Sequence, residues 1–450
     1  MTEQVVARIL LTLFFLLGRC LTTALAASLS DFRSTQSVIP STSYNRPSLP
    51  AAARASVATA KPAVPANAAI TASKKPAMTA SSAPAVFKQS STGIIASFPG
   101  SPELGNYAYS YDQAIAANYF LANKNYSAAG KTLTFYEKIR KDWKSSSEGQ
   151  NSPGVAFQKA FNPANGTISD PVIATGPNAW LGIAALNYTQ ATKKNTYLSL
   201  AKDIGTYLVS LNQNDGYQGI VTAPGSSIRS TEENIDTFAF LNRLASATGD
   251  STYRTAAQDA YTFVKSMYNP ATGYFNAGIN GNTADTRFAT DVQTMAILTL
   301  GVDGLEEMGV DVEELLAVTE AQGAVQTTYT KPDGATVNVT GFGFQGGDNK
   351  ISVEWTAQMI VAYLAVSKEY AADGNIEKAR YYKNQATFYL TELKKMSSDN
   401  ALPYATAANS PTGFGWDTPT GSVSLVATAY YNLAVAGDNP FTPESDNLWK

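Results

Sequence analysis

The chain of 450 residues contains no histidine and only one cysteine. Without histidine, a Ser-His-Asp triad, a histidine general base and histidine-ligated zinc are all excluded. The cysteine, Cys20, lies in an N-terminal apolar stretch, so the rest of the chain can form neither a disulfide framework nor a thiolate metal cluster. Carboxylates, tyrosine, lysine, arginine and hydroxyls remain for catalysis, and we expect neither a metal nor a cofactor.

Basic residues are scarce in most of the chain. Lysine and arginine total 33 against 36 aspartates and glutamates, but residues 1–95 contain nine of the bases and two of the acids. Residues 96–450 therefore carry 24 bases and 34 acids, a formal charge of −10. Because phosphate binding needs a basic surface, this acidic body argues against nucleic acid as a partner.

Residues 1–26 have the pattern of an export signal. Arg8 precedes an apolar run at 9–17, and Ala-Leu-Ala at 24–26 matches a small-x-small cleavage site. The run is too short to span a membrane. A lipid anchor on Cys20 is the alternative, although Arg19 fits that motif poorly. The sequence therefore predicts export to the periplasm or the extracellular space, with no membrane span.

Residues 27–95 are dominated by alanine, serine, threonine and proline. Such a segment buries too little apolar surface to offset the conformational entropy lost on ordering it. The sequence thus predicts a disordered linker over 27–95, followed by one domain over 96–450.

Six segments of the predicted domain share one plan, a short polar opening followed by an alanine-rich apolar run. They lie at 111–117, 176–186, 231–241, 290–298, 352–361 and 421–430. Successive openings are 56 to 68 residues apart, enough for a helical hairpin and a loop. A helix that is apolar all round is buried on every side, so these six helices are expected to form an inner layer.

Helices with a single apolar stripe alternate with the inner ones. Clear stripes run along 197–211 and 253–267, and a less regular one along 376–393. No segment shows a convincing period-2 alternation that would predict a strand instead of a helix. The predicted fold is all-α, an α/α toroid of about six hairpins, in which the last outer helix is unclear because only 14 residues follow Ala436.

Inner helices that all run the same way place their N-termini on one rim, and acids and aromatic rings gather there. The acids are Asp112, Asp170, Glu232, Glu233, Asp236, Asp291, Glu354 and Asp417. The aromatic residues include Tyr107, Tyr109, Tyr111, Trp180, Tyr217, Tyr274, Phe344, Trp355, Phe414 and Trp416. Aromatic faces around carboxylates suit a sugar, and paired carboxylates can act as acid and base across a glycosidic bond.

An acid in the first turn of a helix often only caps the helix, which is the simpler explanation for Asp112 or Asp291. The segment 231–236 has three acids, more than capping needs, and Glu232 and Asp236 share a face where like charges repel. Repulsion and burial raise a carboxyl pKa, as a general acid at neutral pH requires. Glu354, which lies at the start of an otherwise apolar helix, is the second candidate for catalysis or substrate contact.

The openings GPNAWL (176–181), STEENID (230–236) and ATDVQT (289–294), with GWDTPTGS at 415–422, resemble the six-hairpin glycosidase-like superfamily. The resemblance covers about residues 100–441. It implies an α/α toroid with a carbohydrate-binding cleft at the rim and activity on an oligo- or polysaccharide. It fixes neither a glycosidase family, nor the linkage, nor the catalytic pair.

We therefore expect an exported glycoside hydrolase whose acid/base pair is Glu233 and Glu354 and whose partner is an oligo- or polysaccharide. The expected substrate-binding residues are Asp112, Trp180, Glu232, Asp236, Tyr274, Asp291, Trp355, Trp416 and Asp417. Two alternatives stay open: a non-catalytic carbohydrate-binding toroid in envelope polysaccharide assembly, and a polysaccharide lyase, which without histidine would need another base. The sequence predicts no oligomeric state.

Overall fold

Eleven helices of at least 12 residues alternate between two concentric layers in the part of the chain that the structure describes. The computed structural model describes residues 84–213, 215–421, 423–442 and 448. The predicted export signal, and the predicted linker up to residue 83, lie outside the described residues.

In chain order the helices are α1 (Ser110–Ala122), α2 (Tyr126–Ser145), α3 (Thr175–Thr192), α4 (Leu198–Ser210), α5 (Thr231–Thr248), α6 (Ser251–Met267), α7 (Thr290–Met308, interrupted at Gly301), α8 (Val312–Gly323), α9 (Val353–Ala372), α10 (Ile376–Lys395) and α11 (Leu425–Ala436). Single helical turns lie at Ala85–Phe87 and Ser147–Gln150.

The odd-numbered helices form the inner layer. Each contacts the next one, and α11 closes the ring against α1. The even-numbered helices return along the outside, each packed on the inner helix before it. The predicted fold class, an all-α toroid of about six hairpins, is confirmed.

A backbone hydrogen bond from the first residue of every inner helix repeats around the ring. The N–H of this residue donates to a carbonyl in the loop before the next inner helix, at 2.8–3.2 Å. The bonds run from Ser110 to Lys159, Thr175 to Thr222, Thr231 to Ala277, Thr290 to Phe344, Val353 to Tyr404 and Leu425 to Ser97. Because the last bond returns to the loop before α1, all six N-termini lie on one rim.

The fourth residue of every inner helix is polar and holds the loop that precedes the helix. Its side chain accepts a hydrogen bond from a backbone N–H of that loop at 2.8–3.0 Å. The pairs are Gln113 with Ile95, Asn178 with Phe157, Asn234 with Ile220, Gln293 with Phe275, Thr356 with Phe342 and Thr428 with Leu402. These bonds satisfy backbone groups that burial removes from water, which explains a polar residue inside each apolar run.

Burial distinguishes the two layers as the sequence patterns predict. In α9 every residue from 353 to 364 is buried, whereas α6 buries one stripe that includes Tyr253, Ala257 and Val264. The predicted stripe of α10 is wrong at its first position, because Ile376 is 61% exposed.

Ten short strands connect the helices at the rim and around α8. They are β1 (Ala108–Tyr109), β2 (Ala160–Phe161), β3 (Ile168–Asp170), β4 (Ile228–Ser230), β5 (Tyr268–Asn269), β6 (Tyr274–Phe275), β7 (Gly278–Asn280), β8 (Thr283–Asp285), β9 (Ala324–Thr330) and β10 (Thr336–Phe342). All pairings are antiparallel, in the sheets β1-β2-β3, β4-β7-β8, β5-β6 and β9-β10.

The expectation of no strand-like alternation is wrong at β9 and β10. Val325 and Tyr329 are buried while the residues on either side of each are more exposed, which is the period of a strand with one covered face. The turn between the strands contains Gly334, whose φ of 84° favours glycine. The threonine and valine content of both segments, together with this turn, could have predicted the two strands from the sequence.

The structure corrects the domain boundary predicted at residue 95. Val86, Phe87, Ile94 and Ile95 are all buried in the main core. The Phe87 ring stacks on Tyr119 of α1 with centroids 4.0 Å apart. The packed domain therefore also includes residues 84–95.

The N-terminal turn Ala85–Phe87 packs against α11. No helix follows α11 in the described residues after Ala436. None of the helices in the described ranges is both long and apolar enough to cross a membrane.

Gly182 of α3 allows close contact with α5. A Cβ atom there would lie 2.3 Å from Cζ of the Phe240 ring, and this ring is fully buried. We therefore expect Gly182→Ala to lower the melting temperature by several degrees, since overpacking a core typically costs about 1–3 kcal/mol. The matched control is Gly304→Ala in α7, where the nearest atom is a side-chain carbon at 3.2 Å. A melting temperature unchanged in Gly182→Ala would contradict this account.

Candidate functional site

The second residue of each inner helix belongs to a layer at the axis of the ring. These residues are Tyr111, Gly176, Glu232, Asp291, Glu354 and Val426. Tyr111 Oη donates to Glu354 Oε1 at 2.6 Å, although α11 lies between their helices in the ring. The layer therefore brings together side chains that are up to 243 residues apart in sequence.

Residues one helical turn further along form a second layer beneath the first, because positions i and i+4 share a helix face. They include Trp180, Asp236, Gln358 and Tyr430. All four are fully buried. The rings of Tyr111 and Trp180 meet edge to face with centroids 5.8 Å apart, which joins the two layers.

Glu354 is held by two donors on one oxygen. Tyr111 Oη and Gln358 Nε2 both donate to Oε1, at 2.6 and 3.3 Å. Thr294 Oγ1 donates to the side-chain oxygen Oε1 of Gln358 at 3.1 Å. This bond orients the Gln358 side-chain amide with its nitrogen toward Glu354. Because donors stabilise the charged form, this network favours ionisation of Glu354 and opposes the effect of burial, which raises its pKa.

Glu233 has the opposite environment. Its Oε1 accepts a hydrogen bond from the N–H of Gly176 at 3.1 Å, but its Oε2 is buried without a partner in the described structure. A buried carboxyl oxygen with no donor favours the protonated form. The two candidate catalytic glutamates therefore differ in hydrogen bonding, and the difference favours a proton on Glu233.

Burial raises the pKa of every carboxyl near the axis, to about 7 for Asp112 and Glu232, to about 8 for Glu233 and Glu354, and well above the ordinary value for Asp236 and Asp291. The negative charge of Glu232 further raises the pKa values of four of them, Glu233, Asp236, Asp291 and Glu354. These groups cannot all ionise near neutral pH, so the cluster shares protons.

A cleft of about 420 Å³ opens onto this cluster. Five residues predicted from the sequence line it, namely Glu232, Glu233, Asp291, Trp355 and Trp416. The β4-β7-β8 sheet contributes one wall through residues 228–230, 278–280 and Asp285. Asp112, Asp236 and Glu354 lie deeper, with 5%, 0% and 4% of their surfaces exposed.

The loop 409–418 forms another wall. Its ends are joined by a backbone hydrogen bond of 2.8 Å from Asn409 to Thr418. The Phe414 ring lies 6.0 Å from that of Trp355. Trp416 Nε1 donates to Tyr404 Oη at 3.0 Å, and its ring remains 42% exposed. The loop thus presents an aromatic face to the cleft.

Besides Asp112 and Asp236, three predicted binding residues are absent from the cleft lining. Trp180 has no exposed surface and packs against Phe441, so no sugar ring can stack on it. Tyr274, on β6, turns its ring against Phe288 and is absent from the cleft lining. Asp417 is exposed and also absent from the lining. The sequence patterns placed these residues on the rim but could not give the direction of their side chains.

Sequence reasoning missed residues that act through long-range contacts. Gln358 belongs to an apolar run, and only its position one turn after Glu354 pointed to a role. Arg287 lies beside the cleft, with its guanidinium 4.8 Å from the centroid of Phe414. No motif surrounds Arg287, so its place depends on the tertiary fold.

Among the described residues, no group of three or more cysteines, histidines, aspartates and glutamates has an arrangement that would hold a metal ion. A larger and shallower hollow of about 610 Å³ lies on the outer wall, lined by residues 90–93, Tyr126 and Tyr188 among others. No carboxylate lines that hollow. The chemistry therefore belongs to the acidic cleft.

Comparison with solved structures identifies the fold. A glycosidase variant in complex with glucose aligns with a TM-score of 0.53 at 12% identity, covering 77% of this chain and 92% of that one. The glucoamylase of Hormoconis resinae aligns with a TM-score of 0.56 at 15% identity, covering 80% and 70%. This chain has the six-hairpin glycosidase-like fold. The resemblance found in the sequence is confirmed at the level of fold.

The same fold also carries other chemistry. A D-mannose isomerase aligns with a TM-score of 0.53 at 11% identity, covering 76% of this chain and 91% of that chain. No protein-family model and no curated protein matches the sequence. At these identities the likeness shows architecture alone, so the activity has to be argued from the site.

Proposed function

We propose that the protein is an exported glycoside hydrolase that cleaves an oligo- or polysaccharide in the acidic cleft. The observation that carries the proposal is the unequal hydrogen bonding of Glu233, which lines the cleft, and Glu354, which lies in the acid cluster below the lining. A glycosidase needs one protonated and one ionised carboxyl across the scissile bond. The glycosidase and the glucoamylase among the structural neighbours support the same reaction class.

In this mechanism Glu233 is the general acid. Its proton goes to the glycosidic oxygen as the bond from that oxygen to the anomeric carbon breaks. Glu354 supplies the ionised carboxylate that either stereochemical course requires, as a base toward water or as a nucleophile. Tyr111 and Gln358 occupy its Oε1, and among the described residues no donor is bonded to its Oε2.

The remaining acids and rings would bind the substrate. Glu232 and Asp291 line the cleft and can accept hydrogen bonds from sugar hydroxyls. Trp355 is only 5% exposed, so Trp416 offers the larger stacking surface. Asp112 and Asp236 do not line the cleft, and the charge of Asp112 raises the pKa of Glu354.

The test is incubation of the purified protein with a panel of oligo- and polysaccharides, followed by measurement of new reducing ends. New reducing ends without ultraviolet absorbance support hydrolysis. An unsaturated, ultraviolet-absorbing product would instead identify a lyase. Binding of a glycan without any cleavage would identify a carbohydrate-binding toroid and refute the proposed activity.

Trp416 offers a separate test of the cleft. We expect Trp416→Ala to raise KM roughly tenfold, equivalent to ~1.4 kcal/mol, because an aromatic face for the sugar is lost. We expect kcat to change less than about threefold, since Trp416 lies on the loop rather than among the acids. Trp143→Ala is a matched control, because Trp143 lies on the outer helix α2 with a similar exposure of 40%. Equal effects of the two substitutions would place the substrate elsewhere.

A further inference from the structure

The acids at the ring axis have no positive partner. The set comprises Asp112, Glu232, Glu233, Asp236, Asp291 and Glu354. In the described structure, every ion pair of lysine or arginine is made with a different acid. The charges that shift the pKa values of these six are all negative.

Both arginines of the cleft are already neutralised by other acids. Arg229 is 1% exposed and donates to Asp215 at 2.7 Å. Arg287 donates to Asp285 through Nε at 2.7 Å and through a second nitrogen. Each guanidinium is therefore paired with an acid outside the cluster.

Buried oxygens in the cluster also lack donors. Asp236 is 0% exposed, and neither of its carboxyl oxygens accepts a hydrogen bond of normal geometry in the described structure, although the Trp180 side chain lies near enough to lower its pKa. Glu233 Oε2 and Asp112 Oδ2 likewise accept no such bond. Such groups are expensive to bury unless something supplies a donor or a positive charge. The acids are not arranged to hold a metal ion, as the described residues show.

We propose that the glycan bound in this cleft carries a protonated amine, as a hexosamine does when its nitrogen is not acetylated. An anionic sugar would be repelled by the acids of the cluster that are ionised. A neutral sugar would supply donors but leave the charge uncompensated. An ammonium group supplies three donors and a positive charge to Glu232, Glu233 and Asp291, which line the cleft.

The net charge of the domain also favours such a substrate. Residues 96–450 carry a formal charge of −10, which attracts a chain of cationic sugars over a longer distance. This inference names the substrate class of the proposed hydrolase. It rests on the proposed function, because that proposal supplies the premise that the ligand is a carbohydrate.

The binding test uses monosaccharides, which have no glycosidic bond to cleave. Glucosamine and galactosamine are compared with glucose, galactose and their N-acetylamino forms by titration calorimetry or ligand-observed NMR. We expect at least one free amine to bind roughly tenfold more tightly than its neutral counterparts. The advantage should shrink when NaCl rises from about 20 to about 300 mM. Equal or tighter binding of the neutral sugars, or no salt dependence, would overturn the inference.

The cleavage test uses three β-1,4-linked hexamers of the same ring configuration that differ only at C2, with a hydroxyl, an acetamide or an ammonium group. Preferred cleavage of the ammonium hexamer supports both proposals. Cleavage of the neutral hexamers without preference leaves hydrolysis standing and refutes the amine. A preference for free amines in binding, with no cleavage of any glycan offered, supports the amine and refutes hydrolysis.

Glu232→Gln tests the source of the preference. We expect the tenfold preference for the amine, measured as the ratio of its affinity to that of the matched neutral sugar in the same variant, to fall to about threefold or less. Loss of a repelled carboxylate should not lower the melting temperature, which verifies folding. Glu377→Gln, in the exposed first turn of α10, should keep the full preference. An unchanged preference in Glu232→Gln would contradict the assignment.

Discussion

Replacing Glu233 by glutamine should lower kcat by roughly 10²- to 10⁴-fold, the contribution that a positioned general acid usually makes. Glutamine has nearly the same shape and can still accept the hydrogen bond from Gly176. It cannot give a proton to the leaving oxygen. We therefore expect substrate to bind within a few-fold of the wild-type affinity while turnover is nearly lost, as measured by release of reducing ends.

The matched control for Glu233→Gln is Glu377→Gln, the same substitution in the first turn of the outer helix α10. It should retain full activity. Glu354→Gln should lose turnover as well, because an amide can act neither as a base nor as a nucleophile. Full activity in both cleft variants would refute the assigned pair, and loss of activity in the control would point to a preparation fault instead.

The sequence could predict the ring because its physical signals are local. An inner helix must be apolar on every side, and that requirement is visible in each run, for example at 353–364. The hydrogen bonds that place all six N-termini on one rim are made at the polar opening of each inner helix, and this opening recurs in the sequence. The predicted linker boundary was wrong because the signal there is not local. Val86 and Phe87 are isolated apolar residues in a polar segment, and they are buried only because they pack against α1 and α11.

The directions of the side chains at the axis were harder to predict from the sequence than the ring of helices. Glu232 and Asp236 share a face, and their repulsion was evident from spacing alone. Trp180 shares the face of Gly176 by the same spacing, so its burial could have been anticipated once the ring was assumed. The bond from Tyr111 to Glu354 crosses the ring and leaves no trace in either local sequence.

The acid cluster should make the protein less stable as pH rises, and Asp236→Asn should relieve part of that loss. The pKa of Asp236 is well above its ordinary value because of burial first and the charges of Glu232, Glu233 and Asp291 next. The folded protein therefore keeps a proton that the unfolded chain releases above about pH 4. Where the folded state binds more protons, the free energy of unfolding falls with rising pH.

We expect the wild-type melting temperature to fall from about pH 5 to about pH 8, the interval in which the cluster loses its protons. A single group that stays protonated throughout contributes at most ~1.4 kcal/mol per pH unit. Asp236→Asn carries no titrating proton at this position, so its advantage over the wild type should grow to several degrees at the upper pH. Asp417→Asn, on the exposed loop, should follow the wild type at every pH. Parallel melting curves for Asp236→Asn and the wild type across this range would show that Asp236 is not held in its protonated form.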